Sequence, residues 1–449
     1  MRPLFGGLFI KIMAKYTAAF ATLGCRTNQY ETDALAEKMK SAGFIVRSFS
    51  EKADVYVINT CSVTAEADRK SRQFIRRAKS TNPDAIVIVM GCYSQLNPDQ
   101  VKELGADYVC GNRNKMSACE YALNALSGKE KRRAQVLDLK NAPYENCGLV
   151  GIEKNAERAF LKIADGCDNE CTYCIIRKAR GPVVSRAPEE IKKEAEVFAQ
   201  NGYKEIVLTG TEIASYGREN RRYTLKDAIS AVCSAAGIER VRIGSIEPSV
   251  LREDFIEYLA SEEKFMPSFH LSLQSGSASV LARMKRKYNP EMVLKSVKKI
   301  RSLMPDAGFS ADIIVGFPNE TDKEFEDTCR LAKEIGLYHA HIFPYSDRKG
   351  TEASLMNGKV PAEVKNRRLS VLSEICKESA EEQFKFFIDN RIPLSVLFEE
   401  KKNGMWLGHA QNMFDVEYDS SEDLSGQTLI LLAKEYRNGV VTAASLGGI

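Results

Sequence analysis

Strands alternating with longer helical segments over most of the chain, then a closing run of short strands, predict an α/β protein in three parts. Three observations carry this reading. From Lys15 to about Leu126, apolar and β-branched runs alternate with charged helical segments, the pattern of a parallel sheet with helices on both faces. A second alternating series begins at Ala159 and contains six strand patterns. From about Arg391 to Gly448 the pattern changes to short strands separated by Gly, Asn and Asp. The expected domains are 15–128, 153–385 and 390–449.

In the first part, Tyr16–Leu23, Phe44–Phe49, Asp54–Asn59, Ala85–Met90 and Asp107–Cys110 read as strands. Glu31–Ala42, Ala65–Ser80 and Met116–Leu126 read as helices, and the polar run Ser127–Arg133 as a connector. In the second part the strands are Phe160–Ala164, Glu205–Thr209, Val241–Gly244, Phe269–Leu273, Ser310–Val315 and His339–Phe343. Helical patterns such as Pro188–Gln200, Leu225–Ala236 and Pro290–Met304 lie between them, and the long charged Pro361–Asp389 follows. Six βα units are too few for a closed eight-stranded barrel, so an open partial (β/α)6 barrel is expected. Pro393–Glu399, Gly404–Ala410, Met413–Tyr418, Thr428–Lys434 and Val440–Ala444 predict a small antiparallel β-barrel. It carries no catalytic constellation, which points to binding.

Charged residues at 28% and hydrophobic residues at 44% describe an ordinary globular protein, and the net charge of +4 does not by itself argue for nucleic acid. No apolar run approaches the length that spans a bilayer, so no membrane partner is expected. The opening Met1–Ile10 is apolar, but Lys11, Lys15 and Tyr16 interrupt it before any cleavage site, and Met13 is an alternative start.

Cys167, Cys171 and Cys174 carry the most chemical information. They stand in the run Asp165-Gly-Cys-Asp-Asn-Glu-Cys-Thr-Tyr-Cys-Ile176, after the first strand of the second series. Parallel β/α folds gather reactive residues at such strand ends. Three thiolates at these spacings can hold three irons of a 4Fe-4S cube and leave the fourth open to a substrate. Structural zinc wants four ligands, usually as two pairs, and here Cys147 and Cys233 are distant with no histidine nearby. Twelve cysteines in 449 residues are too dilute for a disulfide-stapled fold. The spacing, with an aromatic residue before the last cysteine, resembles the signature of the radical S-adenosylmethionine (SAM) superfamily.

A second set follows strands of the first domain. Cys25 stands in Leu23-Gly-Cys-Arg-Thr-Asn28, Cys61 in Asn59-Thr-Cys-Ser-Val-Thr64, and Cys92 in Met90-Gly-Cys-Tyr-Ser-Gln95. Isolated free cysteines are usually small buried hydrophobes. Three at equivalent strand ends instead point to a metal group. The cysteines at 110, 119, 147, 233, 329 and 376 share no pattern and read as core.

With both sets in view, the chain resembles the radical SAM methylthiotransferases along nearly its whole length. That resemblance implies an N-terminal domain holding an auxiliary 4Fe-4S cluster, a central radical SAM partial barrel and a C-terminal TRAM domain. It implies that Cys25, Cys61 and Cys92 bind the auxiliary cluster, and that Cys167, Cys171 and Cys174 bind the one that cleaves SAM to a 5′-deoxyadenosyl radical. A second SAM would methylate the inserted sulfur. The segments Leu23–Thr32 and Asn59–Gln73 are most similar to the branch acting on threonylcarbamoyladenosine in tRNA. Other branches modify isopentenyladenosine in tRNA or an aspartate of a ribosomal protein. A non-catalytic iron–sulfur or zinc RNA-binding protein is the reading from another class. The chain departs from the family's Ile-Ile-Pro-Tyr-Ala-Arg-Gly at Ile175-Ile-Arg-Lys-Ala-Arg-Gly181, which bears on local loop shape.

Further SAM contacts are expected at strand ends. Tyr173 would lie against adenine, and Gly210, Thr211 and Glu212 would receive the amino group, a carboxylate suiting an ammonium. Ser245 and Glu247 would meet ribose hydroxyls or cap a helix; Gln274 matches a family segment without an evident role. Basic residues Arg69, Lys70, Arg72, Arg76 and Arg77, and the run Arg283, Lys285, Arg286 and Lys287, offer phosphate tracks or solvated helix faces. The implied partners are the tRNA anticodon loop, whose unpaired bases are accessible, and a low-potential electron donor such as flavodoxin or ferredoxin. Oxygen-labile clusters imply a reducing, cytoplasmic setting.

Overall fold

The computed structural model describes residues 16–130, 132–148, 157–437 and 439–446. The apolar opening, Met13, and the expected boundary residues 15, 153 and 449 lie outside these. The chain divides into two compact units: Met1–Val150 with Lys178–Arg180, and Gly151–Arg177 with Gly181–Ile449.

In the first unit, six strands form one sheet: β1 (Tyr16–Thr22), β2 (Phe44–Arg47), β3 (Val55–Thr60), β4 (Ile86–Gly91), β5 (Tyr108–Cys110) and β6 (Arg133–Gln135). The order is β2-β1-β3-β4-β5-β6 and every pairing is parallel. Every residue of β3 is buried, as expected of a central strand covered on both faces. Tyr56, Ile58, Val87, Val89 and Ile75 share one core. Helix Ala65–Thr81 starts where Thr64 accepts a hydrogen bond from the Ala67 amide at 3.1 Å, with Glu66 and Asp68 in its first turn. Strand β6 begins inside the segment expected to be a connector. It is short and largely exposed, and the guanidinium of Arg133 lies 5.3 Å from the Tyr108 ring centroid, so no hydrophobic alternation marks it.

The second unit opens with β7 (Arg158–Asp165), the two-residue β8 (Val184–Ser185), β9 (Glu205–Gly210) and β10 (Arg240–Ile243), in the order β10-β9-β7-β8. Strands β11 (Ser268–Gln274), β12 (Gly308–Val315) and β13 (His339–Pro344) form a second parallel sheet. The sheets meet at an isolated bridge, Ile246 with Leu271, where the Ile246 amide donates to His270 O at 2.9 Å. Among the described residues no pairing returns from β13 to β8, so the barrel is partial.

Strands β14 (Pro393–Lys402), β15 (Met405–Ala410), β16 (Asp415–Tyr418), β17 (Thr428–Arg437) and β18 (Val440–Ser445) close into a barrel in the order β14-β15-β16-β18-β17. The expected antiparallel barrel needs one correction: β16 and β18 are parallel. The reason is parity, because strand direction cannot alternate all the way around a closed ring of five. Helix Ala362–Asp389 packs Phe384 and Phe387 against Phe414 of this barrel, with ring centroids 4.4 and 5.1 Å apart.

Candidate functional site

The loop carrying Cys167, Cys171 and Cys174 leaves the C-terminal end of β7. The Cys167 amide donates to Gly181 O at 3.0 Å and the Cys174 amide to Cys171 O at 3.0 Å. Thr172 is tied to the segment after β11 through its amide to Met284 O at 3.2 Å and its hydroxyl to Arg283 O at 2.9 Å. Burial pushes the Cys167 and Cys174 thiols up to about 12, against amide donors from Asn169 and Ile176, each 3.4 Å from its sulfur. Metal ligation would reverse this, since a coordinating thiol loses its proton.

Arg286 is turned inward to the cysteine loop. The sequence offers it as part of a phosphate track or a solvated helix face, yet its Nη1 donates to Cys171 Sγ at 3.1 Å and its Nη2 to Ser272 O at 3.2 Å, with Glu247 paired at 3.4 Å. Lys287 donates to Asn169 Oδ1 at 2.7 Å, and Asn169 Nδ2 donates to Glu247 Oε2 at 2.6 Å. Arg283 pairs with Glu324 and Lys285 with Glu352. A run of four bases in sequence thus has four separate destinations, which only the turn after β11 decides.

The expected SAM contacts sit at the ends of neighbouring strands. Thr211 donates its hydroxyl to Asp165 Oδ1 at 2.9 Å, and Lys162 pairs with the other oxygen of Asp165 at 2.7 Å. Gly210 ends β9, and Glu212 follows it, accepting from the Ala214 amide at 3.1 Å. Burial, then the neighbouring Glu247 carboxylate, pushes Glu212 up to about 7, with Arg286 acting against both. Glu247 is buried and already accepts from Asn169 and from Ser249, the latter at 2.8 Å. Ser245 is exposed just after β10, and Gln274 ends β11 at φ +62°, beside a register shift. Tyr173 packs against Val280, Met284, Phe317 and Tyr345. Arg177, where the loop departs from the resembled pattern, pairs with Glu170 at 2.6 Å inside the short helix Ile176–Arg180.

In the first unit Cys25, Cys61 and Cys92 follow β1, β3 and β4. Gly24 and Gly91 hold φ of +100° and +101°; a Cβ on Gly24 would lie 2.7 Å from Cys61 Sγ, and one on Gly91 2.5 Å from Thr60 O. Glycine is therefore required at both turns. Cys25 is exposed, while Cys61 and Cys92 are buried. Burial and then the Cys92 thiol push Cys61 up to about 12, with Arg180 pulling the other way.

A buried polar network supports these loops. Asn28 donates to Leu23 O at 2.7 Å and to Thr60 O at 3.1 Å, and Asn59 donates to Asn28 O at 2.9 Å. Arg180 Nη1 pairs with Glu31 at 2.9 Å, Lys115 pairs with the same carboxylate, and Arg180 also meets Asn28 Oδ1. Asn112 donates to Ala179 O at 2.7 Å and approaches Cys92 Sγ at 3.6 Å. Two cations on one carboxylate leave a net positive charge near Cys61. Cys110 also ends a strand, β5, but it is wholly buried and burial raises its thiol.

These donors fit iron–sulfur clusters better than zinc. Zinc with Zn–S bonds of ~2.3 Å would draw its sulfurs to roughly 3.8 Å of one another. Among the described residues, neither cysteine set brings all three sulfurs within 4.8 Å. Three soft thiolates and a neighbouring cation, Arg286 in one set and Arg180 in the other, suit an anionic multinuclear cluster.

Residues 161–332 match the radical SAM superfamily, and residues 17–111 match the uncharacterized protein family UPF0004. The first span contains Cys167, Cys171 and Cys174, and the second contains Cys25, Cys61 and Cys92. The threonylcarbamoyladenosine tRNA methylthiotransferase MtaB of Bacillus subtilis is 38% identical over 92% of this chain and 92% of its own. The enzyme of that name from Aquifex aeolicus is 40% identical over 81% of this chain and 88% of its own. A tRNA-2-methylthio-N(6)-dimethylallyladenosine synthase of Clostridium botulinum is 37% identical over 80% of each chain. The radical SAM methyltransferase TsrM of Kitasatospora setae, solved with tryptophan and a SAM analogue, shares the fold with a TM-score of 0.54 at 14% identity, over 73% of each chain. Two thiol sets at strand ends, within spans that match these families, and 38% identity over 92% of such a relative place this chain in the radical SAM methylthiotransferase family.

Proposed function

We propose that this enzyme transfers a methylthio group to C2 of N6-threonylcarbamoyladenosine beside the anticodon of tRNA. The observation that carries this reading is the 38% identity along 92% of both chains with the B. subtilis enzyme named for that nucleoside. Cys167, Cys171 and Cys174 would hold one 4Fe-4S cluster and Cys25, Cys61 and Cys92 the other. When bound, the first supplies the electron that cleaves SAM, the second presents sulfur, and a second SAM supplies the methyl group.

The chain's own residues orient and shield these groups. Asn169, Glu247 and Arg286 hold the Cys167 loop by direct hydrogen bonds and an ion pair. Glu212, at the end of β9, supplies a carboxylate for the SAM ammonium, and Tyr173, Thr211, Ser245 and Gln274 complete the proposed set. The C-terminal barrel is read as the TRAM domain that grips RNA, and a flavodoxin or ferredoxin as the electron donor. No described helix is long and apolar enough to cross a membrane.

Deleting the gene and analysing tRNA nucleosides by mass spectrometry tests the reading. Loss of the 2-methylthio form of threonylcarbamoyladenosine is expected; its persistence in a strain with no second copy overturns the proposal. Loss of the methylthio-isopentenyladenosine product instead would favour the activity for which the C. botulinum relative is named.

A further inference from the structure

Three of the four histidines in the chain stand on two strands of one sheet. His270 lies on β11, while His339 and His341 lie on β13, flanking Asp312 of β12. In the ladder His270 is opposite Ser310, Ser310 opposite His339, and Asp312 opposite His341. Period-two alternation therefore puts all of them on one face. The ligand atoms of His270, Asp312 and His341 all lie within 4.8 Å of one another, the one such group among the described residues.

We propose that His270, Asp312 and His341 bind one divalent transition-metal ion of the class imidazole favours, zinc being the natural probe. His270 Nε2 lies 3.2 Å from Asp312 Oδ1, and its Nδ1 lies 2.8 Å from the Ser310 hydroxyl. His341 Nδ1 lies 3.4 Å from His339 Nε2. The Ser310 hydroxyl thus orients His270 through Nδ1 and aims its Nε2 at the Asp312 carboxylate, while His339 meets His341 at Nδ1 and leaves its Nε2 for ligation, the arrangement by which outer partners orient metal-bound histidines. Two histidines and one carboxylate form a three-point set that leaves coordination positions open. His341 is exposed and the other two are half-buried, so those positions face exchangeable ligands. The donors are nitrogen and oxygen, which separates this site chemically from the all-thiolate cysteine sets, and it stands whichever adenosine the enzyme modifies.

The test uses holoenzyme purified without oxygen, equilibrated with chelator-buffered Zn²⁺ and assayed for zinc and iron per chain. His341→Ala and Asp312→Asn variants are treated in parallel. One zinc more per chain in the parent than in either variant, at unchanged iron, is expected. Equal zinc in all three proteins, or none in the parent, overturns the site. X-ray absorption at the zinc edge of the parent decides without the variants: a nitrogen and oxygen shell with imidazole scattering supports the site, and a sulfur shell overturns it.

Discussion

Arg286 carries a role that its sequence neighbours conceal. Its guanidinium is buried between Cys171 Sγ, Glu247 and the Ser272 carbonyl, so its charge acts on the cysteine loop in a poorly screened setting. Arg286→Met should lower the reduction potential of the cluster proposed for that loop by on the order of 100 mV, because a nearby cation favours the more negative, reduced state. Redox titration followed by electron paramagnetic resonance checks this; an unchanged potential would show that the charge is screened. The two cysteine sets separate in a second measurement. Cys167→Ala should abolish reductive SAM cleavage, whereas Cys25→Ala should retain it; each should bring iron from about eight per chain to about four. Cys167, Cys171 and Cys174 are singled out by their spacing, and Cys25, Cys61 and Cys92 by their place after three strands. Arg286, Asn169 and Arg180 are not marked in this way, since each reaches its partner only through a turn or a crossing of strands.

At the scale of elements, local chemistry marked most of the named strands, while the first helix starts at Arg26 and not at the expected Glu31. Helix Asp322–Ile335 starts from Thr321, whose side chain forms a capping box with Glu324 in the first turn, and ends at Gly336 with φ +66°. Glu324 also pairs with Arg283, and these hydrogen bonds hold its carboxyl down at about 2. The folded state binds that proton more weakly than the unfolded chain does. The stabilisation is therefore complete above the unfolded value of about 4.5 and is lost as pH falls toward 2. Glu324→Gln should cost ~1–2 kcal/mol at neutral pH, allowing for partial solvent screening, and should flatten the acid limb of stability between pH 4.5 and 2. Thermal melts across that range would show it. What escaped at this scale was β6, a three-residue edge strand without alternation, and the parallel β16–β18 pair, which follows from ring closure and not from local sequence.

At the scale of the whole second unit, the C-terminal barrel is joined to the β9–β10 edge through charge. Glu205 pairs with Arg240 and Arg242, each at 2.9 Å, and lies 3.1 Å from His409 of β15. Arg242 also donates to Gln411 O at 2.7 Å and Ala410 O at 2.9 Å, and Arg240 to Ser395 O at 3.2 Å. Burial alone would raise the Glu205 carboxyl, but Arg242, His409 and Arg240 overcome it and hold it well below the usual range. Removing one partner of a buried ion group strands the others, at a cost of about 3–5 kcal/mol. Glu205→Gln should lower the melting temperature and loosen the barrel against its sheet, seen as faster amide exchange in β14 and β15. Unchanged exchange there would assign the junction to apolar packing instead.

The alternation of strands and helices, the closing barrel strands and the Cys167, Cys171 and Cys174 spacing were readable from sequence, because periodicity and close ligand spacing are local properties; Cys25, Cys61 and Cys92 needed the strand order as well. Tertiary structure alone decided which side chains meet: Arg286 with Cys171, Arg180 with Glu31, and His270 with Asp312 and His341. These contacts depend on strand order and register, which bring together residues more than a hundred positions apart as readily as neighbours.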